Sequence, residues 1–402
     1  MSNASNFLLT MVVARNVASG ELGLFSAMIA GSALAIGLVR AWGSEPMIFR
    51  ERTVDAFDAD IRHGSTVLAT GILSLLVGAL ALPLMLLATN DFTLSAVFAI
   101  SVPFAVLQDS VRFVLVDRGL ARRAFSAEVV WICVQMAFIG ALGFSQSLAF
   151  MIAAWGVGAF SSVLVGVMSL RVRYQFSAVW SWWRSVRSVS PVYMADFAVA
   201  GGLNQASVFI VVAVAGLEAA GFLRGAQLLL TPLTIVTLGM SFALAPEVTR
   251  VAGSDGRRQR LIRISAVYAA IVGVVATLSV AVPSLVPSSW VLAILGDSSH
   301  GSLDVLPYSC LALGIAGVSV GPGLVLRAVG KVRSSMAVKA LTAPITLGAV
   351  AFGSSAGGAI GSQVGLAGGT AIRAIGSVLL MMRALPRGGV EKRRGLDSAR
   401  AS

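Results

Sequence analysis

Charge is what this sequence has least of. Only 12% of its 402 residues are Asp, Glu, Lys or Arg, whereas 57% are hydrophobic and the mean hydropathy is +0.87. A water-soluble fold of that composition has too little polar surface to cover itself, so soluble enzymes and soluble binding modules are excluded. Acids are scarcer than bases, 18 against 30, for a net charge of +12. Lysine occurs three times against 27 arginines, the habit of a GC-rich genome, so the choice of Arg at any one position carries little by itself. Cys133 and Cys310 are the only cysteines. Both fall in apolar runs at no metal-like spacing, which excludes a disulfide framework and predicts buried thiols. No nucleotide-binding glycine loop, metal cluster or nucleophile motif is present, and no cofactor is expected. The first apolar stretch has neither the positive leader nor the cleavage site of a secretory signal.

What is there is a series of apolar runs near the length of a bilayer crossing. Hydrocarbon leaves no partner for an unpaired backbone group, so only helices or closed barrels cross it, and the runs lack the two-residue alternation of barrel strands. The fold class is an all-α polytopic membrane protein. The basic residues stand in spaced clusters between the runs: Arg40 to Arg62, Arg112 to Arg123, Arg171 to Arg187, Arg250 to Arg263, Arg327 to Lys339, and Arg383 to Arg400. Spacing of this kind marks cytoplasmic anchors rather than a nucleic-acid surface. Each gap holds one span out and one back. The far ends, at 88–92, 143–147, 216–219, 283–305 and 353–358, contain no Lys or Arg and are predicted to face outward.

The predicted spans are 3–14, 22–40, 64–88, 93–115, 125–143, 147–168, 191–214, 220–245, 263–282, 305–327, 335–353 and 360–382. The first reaches only about 18 Å against a core of about 30 Å, so its helix is expected to be cut short in this sequence. Segment 283–305 is the longest outward connection, with room for a short interfacial helix. The tail from residue 386 is basic and polar and is expected to be disordered and cytoplasmic, in contact with anionic lipid.

Between the sixth and seventh spans lies RVRYQFSAVWSWWRSVRSVSP (171–191), where Arg171, Arg173, Arg184 and Arg187 alternate with Tyr174, Trp180, Trp182 and Trp183. Amphipathic rings settle at headgroup depth and guanidinium groups reach phosphates, so this reads as an interfacial connector. The halves on either side repeat. GELGLF (20–25) and EPMIFR (45–50) bound a span as EAAGFL (218–223) and APEVTR (245–250) do, and FVLVDRGLARR (113–123) aligns without gaps on LVLRAVGKVRS (324–334), Gly119 on Gly330. An even number of spans per half gives a parallel repeat about an axis along the membrane normal. The expected organisation is an N-terminal lobe (1–170), the connector (171–190), a C-terminal lobe (191–385) and the tail, with substrate bound between two six-helix lobes.

NFLLTMVVARNVASGELGLFSAM (6–28) and LEAAGFLRGAQLLLTPLTIVTLGMSFALAPEVTR (217–250) resemble, respectively, the first-to-second helix signature and the seventh-to-eighth turn with eighth helix of polysaccharide flippases in the MOP exporter superfamily. The resemblance implies alternating access in a bacterial plasma membrane. It implies as cargo a polyprenyl-diphosphate-linked oligosaccharide carried to the outer leaflet for surface polysaccharide synthesis, with assembly enzymes as partners. Twelve spans argue against the lipid II branch, which has two more. Where the family often has an Asp in the seventh helix this chain has Asn204 and Gln205, which argues against a cation site there.

Ionisable residues inside spans are functional candidates by default. Arg224 and Arg373 are expected to bind the diphosphate in bidentate fashion, against the plainer readings of a snorkelling Arg224 and an acid-paired Arg373. Gln205, Asn204 and Gln227 are candidates for sugar hydroxyls, or join helices. Asp196 and Asp109 are candidates for H+ or Na+ coupling. Asp109 and Arg112 stand three apart on one helical face, so an internal ion pair is the stronger reading, and Arg112 is expected chiefly to anchor topology. An anion carried outward gains about 2.3 kcal/mol per charge per 100 mV, so the cargo could move without an ion partner. A drug or small-cation exporter of the same superfamily would want acids and aromatics about a positive substrate, which Arg373 opposes. A membrane polymerase or ligase would present a richer outer loop than one holding His300, Asp297, Asp304 and no Arg.

Overall fold

A computed structural model of the chain describes residues 2–46, 59–141, 147–253, 257–280, 292, 295–296 and 299–385. Among them there is no strand, and helix follows helix. Along the chain they are α1 (Ser2–Asn16), α2 (Ser19–Val39, extended by a π turn over Arg40–Ser44), α3 (Ala59–Thr89), α4 (Phe92–Asp117), α5 (Ala121–Ala141), α6 (Leu148–Leu170) and α7 (Phe176–Val186). After these come α8 (Ser190–Phe197), which passes through a π turn at Ala198–Gly202 into α9 (Leu203–Ala252), then α10 (Arg257–Val280), α11 (Ser299–Val318), α12 (Val320–Ala328) and α13 (Val332–Ala384).

Nine of the described helices are long and apolar enough to cross a membrane. Two of these are pairs. Helix α9 breaks at Gly216 (φ +88°), and α13 breaks at Gly357 and Gly358, the latter at φ +55°. Both breaks fall at predicted outward turns, because a left-handed residue reverses the chain at no Cβ cost only if it is glycine. The outward turn at 88–92 also forms, with Asn90 at φ +54° and the Asp91 side chain accepting from the Leu94 N–H to cap α4. Counting each pair as two and adding the short α1 gives the twelve spans expected. The turn at 143–147, most of 283–298 and the tail lie outside the described residues, apart from Ser147.

The aligned repeat has a structural counterpart. At the end of α4, Gly119 (φ +74°) donates to the Val116 carbonyl and Leu120 N–H reaches Leu115 O at 2.8 Å. At the end of α12, Gly330 (φ +74°) donates to Arg327 O and Lys331 N–H reaches Leu326 O at 2.8 Å. Each is the same glycine-capped helix end, its orphan carbonyls satisfied in the same pattern at residues that align one to one.

The chain divides into two compact units, Met1–Phe209 with Leu292–Asp297, and Ile210–Val291 with Ser298–Ser402. In the first, α4 packs on α3 and α6, and α5 on α6. Val67, Val111, Val114, Leu115, Ala124 and Leu170 form a core at the basic end of these helices. Residues 190–209 belong to this unit too: the Phe197 ring lies where a Cβ on Gly37 would sit, so only glycine admits it, and Ser190 donates to the Trp42 carbonyl at 2.7 Å. In the second unit, α10 packs on α11 and α11 and α12 on α13. The two arms of α13 touch backbone to backbone, since Cβ atoms on Gly361 and Gly365 would lie 2.0 and 2.1 Å from the Gly353 and Ala349 carbonyl oxygens.

One expectation fails. Cys310 is buried, but Cys133 is exposed on α5. An apolar run in a membrane helix does not imply burial in protein, because lipid covers its outer side as well as a neighbouring helix would.

Candidate functional site: span-buried charge in each unit

In the first unit the ionisable residues of three spans meet. α2, α4 and α5 contribute Arg40, Asp109 with Arg112, and Glu128. Arg40 grips Asp109 with a fork, Nε to Oδ2 at 2.7 Å and an NH2 group to Oδ1 at 2.8 Å. Arg112 also donates to Asp109 Oδ1 and stands 3.7 Å from Glu128 Oε1. Gln108 donates to the same Glu128 oxygen at 3.2 Å. Asp109, Glu128 and Gln108 are all buried, and the Phe113 ring lies 5.1 Å from the Arg40 guanidinium and 5.7 Å from that of Arg112. Two cations and two carboxylates sum to zero, so charges that would be expensive singly compensate one another. Asp109 lies about 12 Å up α4 from its basic end, so the cluster is within the span.

Arg40 opens a π turn, and the added residue per turn rotates the side chains that follow relative to those before. The turn's neighbour Glu45 feels Arg40, Asp196 and Asp109; burial is the main influence and holds its carboxyl above the usual range, with Arg40 opposing and the two acids adding. Nearer the basic end, His63 meets Asp117 at 2.8 Å and Arg118 meets Asp60 at 3.0 Å, while Arg118 also donates to the Leu170 carbonyl. These contacts tie the ends of α3, α4 and α6 together.

The predicted Asp109–Arg112 pair is present. Arg112, expected chiefly to anchor topology, also turns onto the buried carboxylates of Asp109 and Glu128. Arg40 was legible only as a member of a basic cluster, because its partner lies 69 positions away and no local spacing reports it. Asp196 is half-buried in α8, Gln205 is half-buried and Asn204 exposed at the start of α9, all within the first unit.

The second unit handles charge differently. Arg224 and Gln227 share one face of α9 with Thr231, half-buried, while Leu223, Ala226 and Leu230 enter the core from the other. Arg373 stands half-buried in the second arm of α13, flanked at helical spacing by buried Thr370 and Ser377. Its Nε is buried with no hydrogen-bond partner among the described residues. From Val305 to Val390 the sequence contains no Asp or Glu, and α10 contains none either. The acid-paired reading of Arg373 therefore has no partner on its own hairpin. Arg373 lies on a different helix of the same unit from Arg224 and Gln227. Among the described residues no group of His, Cys, Asp and Glu is arranged to hold a metal.

No protein-family model matches the chain, and no curated protein matches it in sequence. Solved structures do match. An inward-facing multidrug resistance MATE family transporter of the MOP superfamily superposes with a TM-score of 0.68 at 16% identity, over 96% of this chain and 94% of that one. The lipid II flippase MurJ, in an inward closed conformation, gives 0.69 at 9% identity, over 94% of this chain and 85% of its own. A MOP superfamily transporter from Pyrococcus furiosus, for which a reverse polarity of the binding pocket suggests a different function, gives 0.54 at 15% identity over 95% and 93%. The chain has the fold these transporters share.

Proposed function

We propose that the protein is a flippase of the MOP superfamily that moves a polyprenyl-diphosphate-linked oligosaccharide from the cytoplasmic to the outer leaflet. The observation that carries this reading is Arg373, a cation within a span, its Nε without a hydrogen-bond partner among the described residues, on a hairpin with no acid. Leaving a guanidinium half-desolvated is costly, and a diphosphate is the ligand that repays it, since planar paired donors match phosphate oxygens. Arg224 carries the same charge about two turns past the Gly216 break of α9, and Gln227, Gln205 and Asn204 are the candidates for sugar hydroxyls. The fold supports transport, and MATE transporters and the lipid II flippase share it.

A second reading, export of drugs or small cations, is favoured by Asp196 and Glu45, half-buried acids of the first unit. The test separates the two. Polyprenyl-linked lipids are measured by mass spectrometry in a strain lacking the gene, complemented with wild type or Arg373→Gln. The flippase reading expects a complete repeat unit to accumulate on its lipid, surface glycan to fall, and Arg373→Gln to fail to restore either. Unchanged lipid and glycan with heightened drug sensitivity would replace it with the exporter reading.

A further inference from the structure

The connector helix α7 forms one side of a groove. Its Ala178, Trp182 and Val186, spaced one turn apart, are buried in the first unit. Trp42 at the end of α2 locks this face, stacked on Trp183 at 4.8 Å and edge-on to Trp182 at 5.5 Å. On the side turned away from the core, Phe176 and Trp180 are 72% and 60% exposed. Between them and Ile72, Leu73 and Leu76 of α3 runs an apolar groove of about 440 Å³, floored by Ala69 and Trp42.

Its depth follows from helix length. α3 has 31 residues. That is about 46 Å of helix against a hydrocarbon core of about 30 Å, so with Thr89 at the outer boundary the core ends near residue 69, the level at which α7 crosses. The groove therefore opens into acyl chains at its α3 side and onto headgroups at its α7 side. The exposed charge on α7 is of one sign. Arg184 lies over the Trp180 ring at 5.4 Å, Arg187 follows on the next turn, and both are exposed. No acid occurs between Glu128 and Asp196. Among the described residues that line the groove there is no acid, and Glu45, three residues beyond Trp42, lies in the field of Arg40.

We propose that this groove binds an anionic glycerophospholipid, one acyl chain lying between α3 and α7 and the phosphate on Arg184 and Arg187. Apolar floor, aromatic rim and paired guanidinium groups succeed one another in the order of chain, glycerol and headgroup. The occupant is a resident membrane lipid and the site is separate from Arg224 and Arg373, so it stands whether or not the transport reading does.

The test is native mass spectrometry of the full-length protein titrated with phosphatidylglycerol and with phosphatidylcholine of the same chains. The expected result is a clear preference for phosphatidylglycerol that falls about tenfold in Arg184→Gln/Arg187→Gln, the scale of one lost charged hydrogen bond. Lys331→Gln/Arg333→Gln, which removes the same charge from an exposed turn elsewhere, is expected to leave the preference intact. Trp180→Ala should weaken both lipids alike. Equal binding of the two lipids by wild type, or an equal loss in both double variants, would overturn the site. Displacement by equimolar polyprenyl phosphate would overturn the assignment of its occupant.

Discussion

The two units bury basic residues in opposite ways. In the first, Arg40 and Arg112 close on Asp109 and Glu128, and the group is neutral within a few ångströms. In the second, Arg373 stands on a hairpin that carries no acid, its Nε buried without a hydrogen-bond partner among the described residues. Compensation fixes geometry: a carboxylate held by two guanidinium groups is part of the scaffold and has little capacity left for a ligand. An uncompensated guanidinium contributes nothing to stability and is retained for what it binds. On the proposed function, the difference gives structure to Arg40 and Arg112 and cargo to Arg373, although the three look alike in sequence.

The comparison is broken most severely at Asp109. Asp109→Asn leaves the half-buried Arg40 and Arg112 with only Glu128 to offset them, and a loss of about 3 kcal/mol is expected, read as a lower unfolding midpoint of the detergent-solubilised protein. Arg40→Gln in the same chain should recover part of it. If Asp109→Asn unfolds where wild type does, the cluster is not scaffold. The second unit is held instead by close backbone contact. Gly365→Ala places a Cβ against the Ala349 carbonyl and should cost about 1–3 kcal/mol. Gly368→Ala, whose Cβ meets nothing within 4 Å, should be neutral or gain up to about 1 kcal/mol. Equal midpoints for the two variants would remove the close-contact account.

Arg373→Gln sharpens the contrast. Its unfolding midpoint should equal or exceed that of wild type, whereas complementation of glycan export falls at least about tenfold, the scale of a lost charged hydrogen bond. A large drop in stability would mean Arg373 is compensated as Arg40 is. The smallest effect is at Glu45. Burial raises its carboxyl above the ordinary value of 4.5, so the folded state holds the proton more tightly than the unfolded chain. The stabilisation this brings is complete below pH 4.5 and is lost as pH rises through the raised value. Glu45→Gln should therefore gain on wild type as pH increases, and midpoints measured at pH 5 and pH 8 should diverge at the higher pH. A constant difference would mean that Glu45 is not desolvated by the fold.

Much of the fold was legible before any coordinates. Run length, the spacing of basic clusters and the shortage of charge specify twelve helices and the ends at which they turn, because bilayer thickness and backbone satisfaction leave few alternatives. Gly119 and Gly330 could be aligned because a left-handed helix cap admits few residues, and both adopt it. The Asp109–Arg112 pair was visible because helical spacing is local. What the sequence alone could not decide is which buried charges have partners. Arg40 and Asp109 are 69 residues apart, and Phe197 seats on Gly37 from 160 residues away, so neither contact leaves a periodic trace. Nor could it say that Cys133 is exposed, since lipid and protein are equally apolar neighbours. Composition by itself determined that this chain is an all-helical, multi-pass membrane protein. Only tertiary structure, by bringing distant spans within hydrogen-bond reach, decided that the arginines of one unit are spent on their own acids while Arg373 in the other keeps a buried donor with no partner among the described residues.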